Sequence, residues 1–222
     1  MQQARTKRII SFALWGDNPL YVRGAIWNAE HREEFYPGWV ARFYHDCTVP
    51  GDAVKAISVT GAEMVLMGQT TDVLGMYWRF HPMFDDPSIE RFLVRDTDSK
   101  FSKRESKMVD EWIASGKPFH IVRDCESHAT QILGGTWGAV PTCIPDFERK
   151  LGAWFTNLVP DARNPRGLFH GSDQIFLGLY VWPLIKNNHL AHVRANMPQL
   201  KYIGNEIEVP DPEDKHYIGM VV

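Results

Sequence analysis

The chain of 222 residues has only three cysteines, Cys47, Cys125 and Cys143, an odd number without the paired spacing of a zinc site. A disulfide framework is therefore not expected. Free thiols suit a reducing compartment, so a cytoplasmic location is expected. No apolar run approaches the ~20 residues needed to span a bilayer. The first apolar run, residues 9–15, is short and meets Gly16-Asp17 with no small-residue cleavage site, so it reads as a strand and not as an export signal. Excess positive charge is missing too: 24 Lys and Arg stand against 27 Asp and Glu, a net charge of -3, which gives no electrostatic basis for nucleic-acid binding. There is no internal repeat, low-complexity tract or linker. A single domain over residues 1–222 is expected, with a composition, 44% hydrophobic, ordinary for a globular protein.

What is present is aromatic and ordered. Eight tryptophans suit either core packing or stacking platforms for sugars or bases. Residues 8–15 form a first strand, with Ile10, Phe12 and Leu14 on one face. Gly16-Asp17-Asn18-Pro19 supplies a turn, a cap and a proline at the first helical position. Val22, Ala25, Ile26 and Ala29 then recur at helical spacing. Residues 39–45 read as a second strand, a short helix opens at Pro50-Gly51-Asp52, and residues 63–67 form a third strand. Asp72 is expected to cap a helix carrying Leu74, Tyr77, Trp78 and Phe80, stopped by Pro82. Phe92-Leu93-Val94 is an unbroken apolar run suited to a strand buried on both faces. The order β-α-β-α-β-α-β predicts an α/β fold with a mostly parallel central sheet flanked by helices.

That fourth strand ends in Arg95-Asp96-Thr97-Asp98-Ser99. Side chains at i and i+2 share a face, so Asp96 and Asp98 can reach one cation, and hard oxygen ligands suit Mg²⁺ or Mn²⁺. A cation at the carboxyl edge of an α/β sheet is placed to receive a phosphorylated ligand.

Beyond it, Ser102-Lys103-Arg104-Glu105 reads as a capping box, Met108, Val109, Trp112 and Ile113 as one apolar helix face, and Gly116 as its stop. Residues 118–122 form another strand, followed by Arg123-Asp124 and His128. Leu133-Gly134-Gly135-Thr136-Trp137-Gly138 reads as a glycine-rich segment that admits close approach of a ligand. Pro145-Asp146 begins a further helix, residues 160–167 read as a loop, and His170-Gly171-Ser172-Asp173-Gln174 leads into an apolar helix interrupted by Pro183. Short extended pieces are expected at 193–195, 202–203 and 217–222.

These segments together resemble the GT-A glycosyltransferases, and in particular the compact glycosyltransferases of large algal viruses and related bacterial proteins. The likeness spans residues 9–179. It rests on the Asp96-Thr97-Asp98 motif combined with Arg123-Asp124, Gly134-Gly135-Thr136-Trp137-Gly138 and Asp173-Gln174. It implies a single Rossmann-like GT-A domain, with a nucleotide-sugar half over about residues 8–99 and an acceptor half over about 100–222. It implies a metal-dependent transfer from a nucleotide-diphosphate sugar, UDP-linked by expectation, to a glycan or other hydroxyl acceptor.

The resemblance also implies site residues. Leu14, Trp15 and Asp17 lie where this fold holds base and ribose, and Arg79, with Arg23 a weaker alternative, where a basic side chain meets the nucleotide. Arg95, Asp96, Thr97 and Asp98 line the diphosphate side, with Asp96 and Asp98 on the metal and His170 completing its shell; His189, His192 and His216 are alternatives to His170. Asp124, Gly134 and Gly135 surround the donor sugar, with Asp124 the catalytic candidate next after Asp173, and His128 binds sugar or acceptor. Asp173 and Gln174 face the anomeric carbon, with Asp173 a general base if the enzyme inverts, or either residue stabilising the sugar cation if it retains. Surface salt bridging, core anchoring and helix capping compete with these roles. Two other readings stand beside the enzyme: a non-catalytic nucleotide-sugar-binding module, and a phosphatase of the haloacid-dehalogenase type. The latter normally carries its Asp-X-Asp after the first strand and follows it with Gly-Thr, whereas here Ser99 follows.

Overall fold

The computed structural model describes residues 6–69, 73–159, 167–204, 206–212 and 216–221. The expected cap at Asp72 and nearly all of the loop at 160–167 lie outside the described residues. Among the described residues the chain forms one sheet of eight strands, β1 (Lys7–Leu14), β2 (Val40–His45), β3 (Glu63–Leu66), β4 (Ile89–Arg95), β5 (Phe119–Arg123), β6 (Thr136–Ala139), β7 (Leu190–Arg194) and β8 (Ile207–Val209). Their order is β3-β2-β1-β4-β6-β5-β7-β8. Every pairing is parallel except those of β6, which runs antiparallel to both β4 and β5.

Strand alternation sorts the core into two layers. Ile10, Phe12 and Leu14 of β1 and Leu93 of β4 pack with α1 (Pro19–Phe35), α2 (Gly51–Ser58) and α3 (Lys103–Ser115). Ile9, Phe92 and Val94 face the other way, onto a 3₁₀ segment (Val73–Met83), α4 (Phe147–Thr156), α5 (Ser172–Phe176) and α6 (Trp182–Ile185). The chain leaves β1 toward β2 and β3, then returns to place β4 on the opposite side of β1. This reversal opens a crevice at the carboxyl edge, the usual ligand position in open α/β sheets.

Several local expectations are corrected. The segment holding Tyr77, Trp78 and Phe80 is 3₁₀, not α, and it runs through Pro82, which has no N–H to give to a longer helix. The glycine-rich run is half strand: Thr136-Trp137-Gly138 belongs to β6. The capping box is half formed. The Ser102 hydroxyl accepts from the Glu105 N–H, but the Glu105 carboxylate turns away to the buried Arg95 guanidinium. Gly116 does end α3 in the left-handed region. Pro183 does not break its helix: without its N–H the Leu179 carbonyl loses its α-helical partner, and the chain widens into a π turn (Leu177–Val181) between α5 and α6. Residues 202–203 are not a strand; the tail contributes β8 and an isolated bridge from Val221 to Ser99.

No helix among the described residues is long and apolar enough to cross a membrane. The three cysteines are free thiols.

Candidate active-site cleft

A cleft of about 720 Å³ opens at the carboxyl edge. Parallel β1 and β4 deliver their exits, Leu14-Trp15 and Asp96-Thr97-Asp98, to one side of the sheet. Because β6 is antiparallel, its entry lies at that same edge, and the register Arg95↔Thr136 sets Gly135 beside Asp96. The fit leaves no room for a side chain. A Cβ on Gly135 would lie 1.9 Å from Asp96 Oδ2, and one on Gly134 would lie 2.3 Å from Asp173 Oδ2.

The Asp96-Thr97-Asp98 turn is fixed from behind. Asn28 of α1 donates its Nδ2–H to the Thr97 and Ser99 carbonyls at 3.3 and 2.9 Å. Gly24 lets α1 approach until a Cβ there would meet the Thr97 carbonyl oxygen at 1.9 Å. Arg79 enters from the 3₁₀ segment, whose backbone is held by the Ser11 hydroxyl on the Arg79 carbonyl at 2.8 Å. Its buried guanidinium bridges two carboxylates, donating to Asp96 and, at 2.7 Å, to Asp173 Oδ2. Asp173 is only 2% exposed. Its neighbour Ser172 accepts from the Tyr77 hydroxyl at 2.9 Å, and Trp154 donates to that hydroxyl at 2.8 Å, so α5 is pinned to α4 and the 3₁₀ segment.

The electrostatics follow from this crowding. Burial, and then the Asp96 charge, raise the Asp98 carboxyl above its ordinary value, with Arg79 and His170 offsetting in part. Burial, then Asp98 and Asp96, raise the Tyr21 phenol. Burial pushes the His128 imidazole down to about 4, and its Nδ1 accepts the Asp124 N–H at 3.0 Å. His128 is therefore neutral at pH 7, with Nε2 carrying the proton.

Of the residues expected in a site, Leu14, Trp15, Asp17, Arg79, Asp96, Thr97, Asp98, His128, Gly134, Gly135, His170, Asp173 and Gln174 all line this cleft. Arg95 and Asp124 do not. Arg95 lies beneath the turn, donating to Glu105 and to the Val94 and Trp137 carbonyls, the latter at 3.0 Å. Asp124 is fully buried, paired with Arg104 and accepting the Ile218 N–H at 2.9 Å. It holds the C-terminal segment against the fold. Arg23, His189, His192 and His216 do not line the cleft; His192 is buried between His120 and Glu111. Trp15 is the tryptophan that lines the cleft, nearly perpendicular to Trp78, while Trp112 and Trp137 are core.

Sequence reading missed Tyr21, Met76, Ser127, Tyr217 and Gly219, all on the cleft wall. Tyr21 could have been found from its place in the first turn of the helix that follows Asp17-Asn18; no sequence signal brings Tyr217 there, since only folding sets it against His128, ring centroids 5.7 Å apart.

Among the described residues no three His, Cys, Asp or Glu side chains converge as a metal cage. The chain would supply two carboxylates, Asp96 and Asp98, and their mutual repulsion is the condition a hard divalent cation relieves. Mg²⁺ commonly takes one or two carboxylates and completes its shell with water and phosphate oxygens, so the donor set fits.

No known protein family and no curated protein sequence matches the chain. Among solved structures it is similar to a mycobacterial protein, at 12% identity and a TM-score of 0.41, covering 63% of this chain and 54% of that one. The chain thus spans about half the length of that protein. It is also similar to diaminopropionate ammonia lyase from Escherichia coli, in complex with D-serine, at 13% identity and a TM-score of 0.27, covering 85% of this chain and 38% of the other. At these scores the likenesses bear on neither activity nor substrate.

Proposed function

We propose that this protein is a GT-A-type glycosyltransferase of the cytoplasm, moving a sugar from a nucleotide-diphosphate sugar to a hydroxyl acceptor. The observation that carries the reading is the meeting of the Asp96-Thr97-Asp98 turn, the buried Arg79 guanidinium and Asp173 in one cleft at the carboxyl edge. Support also comes from the turn's place after the fourth strand, where a haloacid-dehalogenase would carry its motif after the first. The free thiols support the compartment.

In this reading Trp15 and Tyr21 flank the base, Asp17 accepts from the ribose, and Arg79 is the cation for the diphosphate. Mg²⁺ or Mn²⁺ held by Asp96 and Asp98 would neutralise charge developing on the leaving diphosphate. Gly134 and Gly135 let the Asp173 and Asp96 carboxylates pack against the main chain beside the sugar, and neutral His128 offers an Nε2–H donor to a sugar hydroxyl. Transfer forms a bond from the acceptor oxygen to the anomeric carbon and breaks the bond from that carbon to the phosphate oxygen, whose electron pair leaves on the nucleoside diphosphate. The hydroxyl proton passes to Asp173 if configuration inverts, or to the departing phosphate oxygen if it is retained. The testing experiment is a thermal-shift panel of sugar nucleotides with and without Mn²⁺, since a ligand that binds only the native state stabilises it. A Mn²⁺-dependent rise with at least one sugar nucleotide is expected; a flat panel would remove the proposal.

A further inference from the structure

A second depression, about 330 Å³, adjoins the cleft and shares Gly171 and Gln174 with it. One wall is the helix after Asp173. There the π turn leaves Leu179 63% exposed, next to Ile175 at 42%, one turn earlier. These are large aliphatic side chains kept in water beside a reaction cleft. Single-turn π bulges often occur at functional sites, and this one aims Leu179 along the groove.

The opposite wall is Thr130 and Gln131, and it is unusually well fastened. Arg123 is fully buried, and its guanidinium donates to the Thr130 carbonyl at 3.0 Å and to the Gln131 carbonyl at 3.1 and 2.6 Å. A fourth donation reaches a third carbonyl, that of Leu200, at 3.0 Å, and the plane lies against Tyr202, 4.6 Å from its ring centre. A buried cation is costly unless fully paired, and this one is used to hold a loop. Gly178 forms the floor, where a Cβ would press on Gln131 Oε1 at 3.1 Å. Among the described residues that line the groove none is charged. Its polar groups are the Gln131 and Gln174 amides and the Thr130 hydroxyl.

We infer that this groove takes the acceptor, and that the acceptor is an uncharged alcohol or glycoside carried on an aliphatic aglycone, an inference that rests on the transferase reading of the cleft. Continuity through Gln174 puts the reacting hydroxyl beside Asp173, where the bond exchange described above occurs. The amides meet the neutral polar head, and the aliphatic chain lies over Ile175 and Leu179. A charged acceptor would find no counter-ion in the groove, and a polymer of bare sugars would gain nothing from two exposed aliphatic side chains.

The test compares octyl β-glucoside with methyl β-glucoside, below the micelle concentration of the former, by saturation-transfer NMR and titration on the whole chain. Binding of UDP with Mn²⁺ is measured calorimetrically on the same samples. The octyl compound should bind at least about tenfold more tightly, the gain from burying two or more methylenes, with saturation strongest on its alkyl protons. Ile175→Ser with Leu179→Asn should erase the difference and leave UDP binding unchanged. Equal affinity for the two glucosides, or a preference that survives in the double variant, would overturn the inference while UDP binding stands. Octyl selectivity without any UDP binding would instead overturn the transferase reading, and with it the groove's role as an acceptor subsite.

Discussion

The two halves of the sheet are built differently. From β1 to β4 the chain alternates strand and connection in regular parallel order, and its buried charges pair with one another: Arg42 meets Asp86 at 2.6 Å and Glu63 at 2.7 Å. From β5 to β8 the order is interrupted by antiparallel β6, a π turn and an irregular tail; buried charges pair there too, Asp124 with Arg104 and Arg123 with Glu206 at 3.6 Å, but Arg123 also leans on backbone carbonyls, and buried histidines stay neutral. The first half acts as a rigid platform that presents Asp96 and Asp98. The second supplies what closes over it: Gly134 and Gly135, His128, Asp173 and the C-terminal segment. The regular half lines the cleft with its strand-end motif and with Trp15, Tyr21 and Arg79, and the irregular half completes the wall.

Substitutions can break this division of labour. The largest effect is expected from Asp173→Asn, which should lower turnover by roughly 10²–10⁴-fold with sugar-nucleotide affinity little changed. Steady-state kinetics beside a binding isotherm separates this from a stability loss; near-normal turnover would return Asp173 to a structural role. Next is a contrast between two glycines. Gly135→Ala strikes the tip of a side chain, so Asp96 can move aside; the fold should survive while turnover falls by roughly 10²-fold from misplacement. Gly24→Ala strikes the Thr97 backbone, so helix and turn must part, and urea unfolding should show a loss of about 1–3 kcal/mol. Equal stability losses in both would contradict the contrast.

The halves should also differ in acid, since burial depresses four imidazoles in the second, His120, His128, His189 and His192, against His81 alone in the first among the described residues. His120, His128 and His192 are each held below the ordinary imidazole value, in every case chiefly by burial, with His128 at about 4. The unfolded chain binds protons there near pH 6.5 while the folded one does not, so stability is full above about 6.5 and declines as pH falls from there toward 4. Urea midpoints measured from pH 7 to 5 should fall. Hydrogen exchange should show β5 and β7 losing protection before β1 and β2, whose Arg42 network keeps its carboxylates ionised. The smallest effect is Ser102→Ala, which should cost about 1 kcal/mol in a chemical melt, the ordinary worth of an N-cap.

Legibility in the sequence follows the same divide. The first four strands could be read because apolar alternation and turn residues agree locally, so the place of Asp96 and Asp98 followed. Strand β6 could not, since it has four residues, one a glycine, and its pairing with β4 and β5 is set by contacts distant in sequence. Glycines 134 and 135 were read as making room for a ligand, and the space they leave is already filled by the Asp96 and Asp173 carboxylates. The family resemblance implies a sugar-facing Asp124, but Arg104 and the Ile218 N–H, 20 and 94 residues away in the chain, claim its oxygens. Glu105 fitted a capping box until burial of Arg95 demanded its carboxylate.

The most direct test of the proposed donor site is calorimetric titration of UDP into the protein with Mn²⁺ and with EDTA, repeated on the Asp96→Asn, Asp98→Asn double variant. The proposal predicts saturable binding by the wild-type protein with Mn²⁺ only, and none by the double variant at an unchanged melting temperature. UDP binding that persists in EDTA, or that survives in the double variant at wild-type strength, would contradict it.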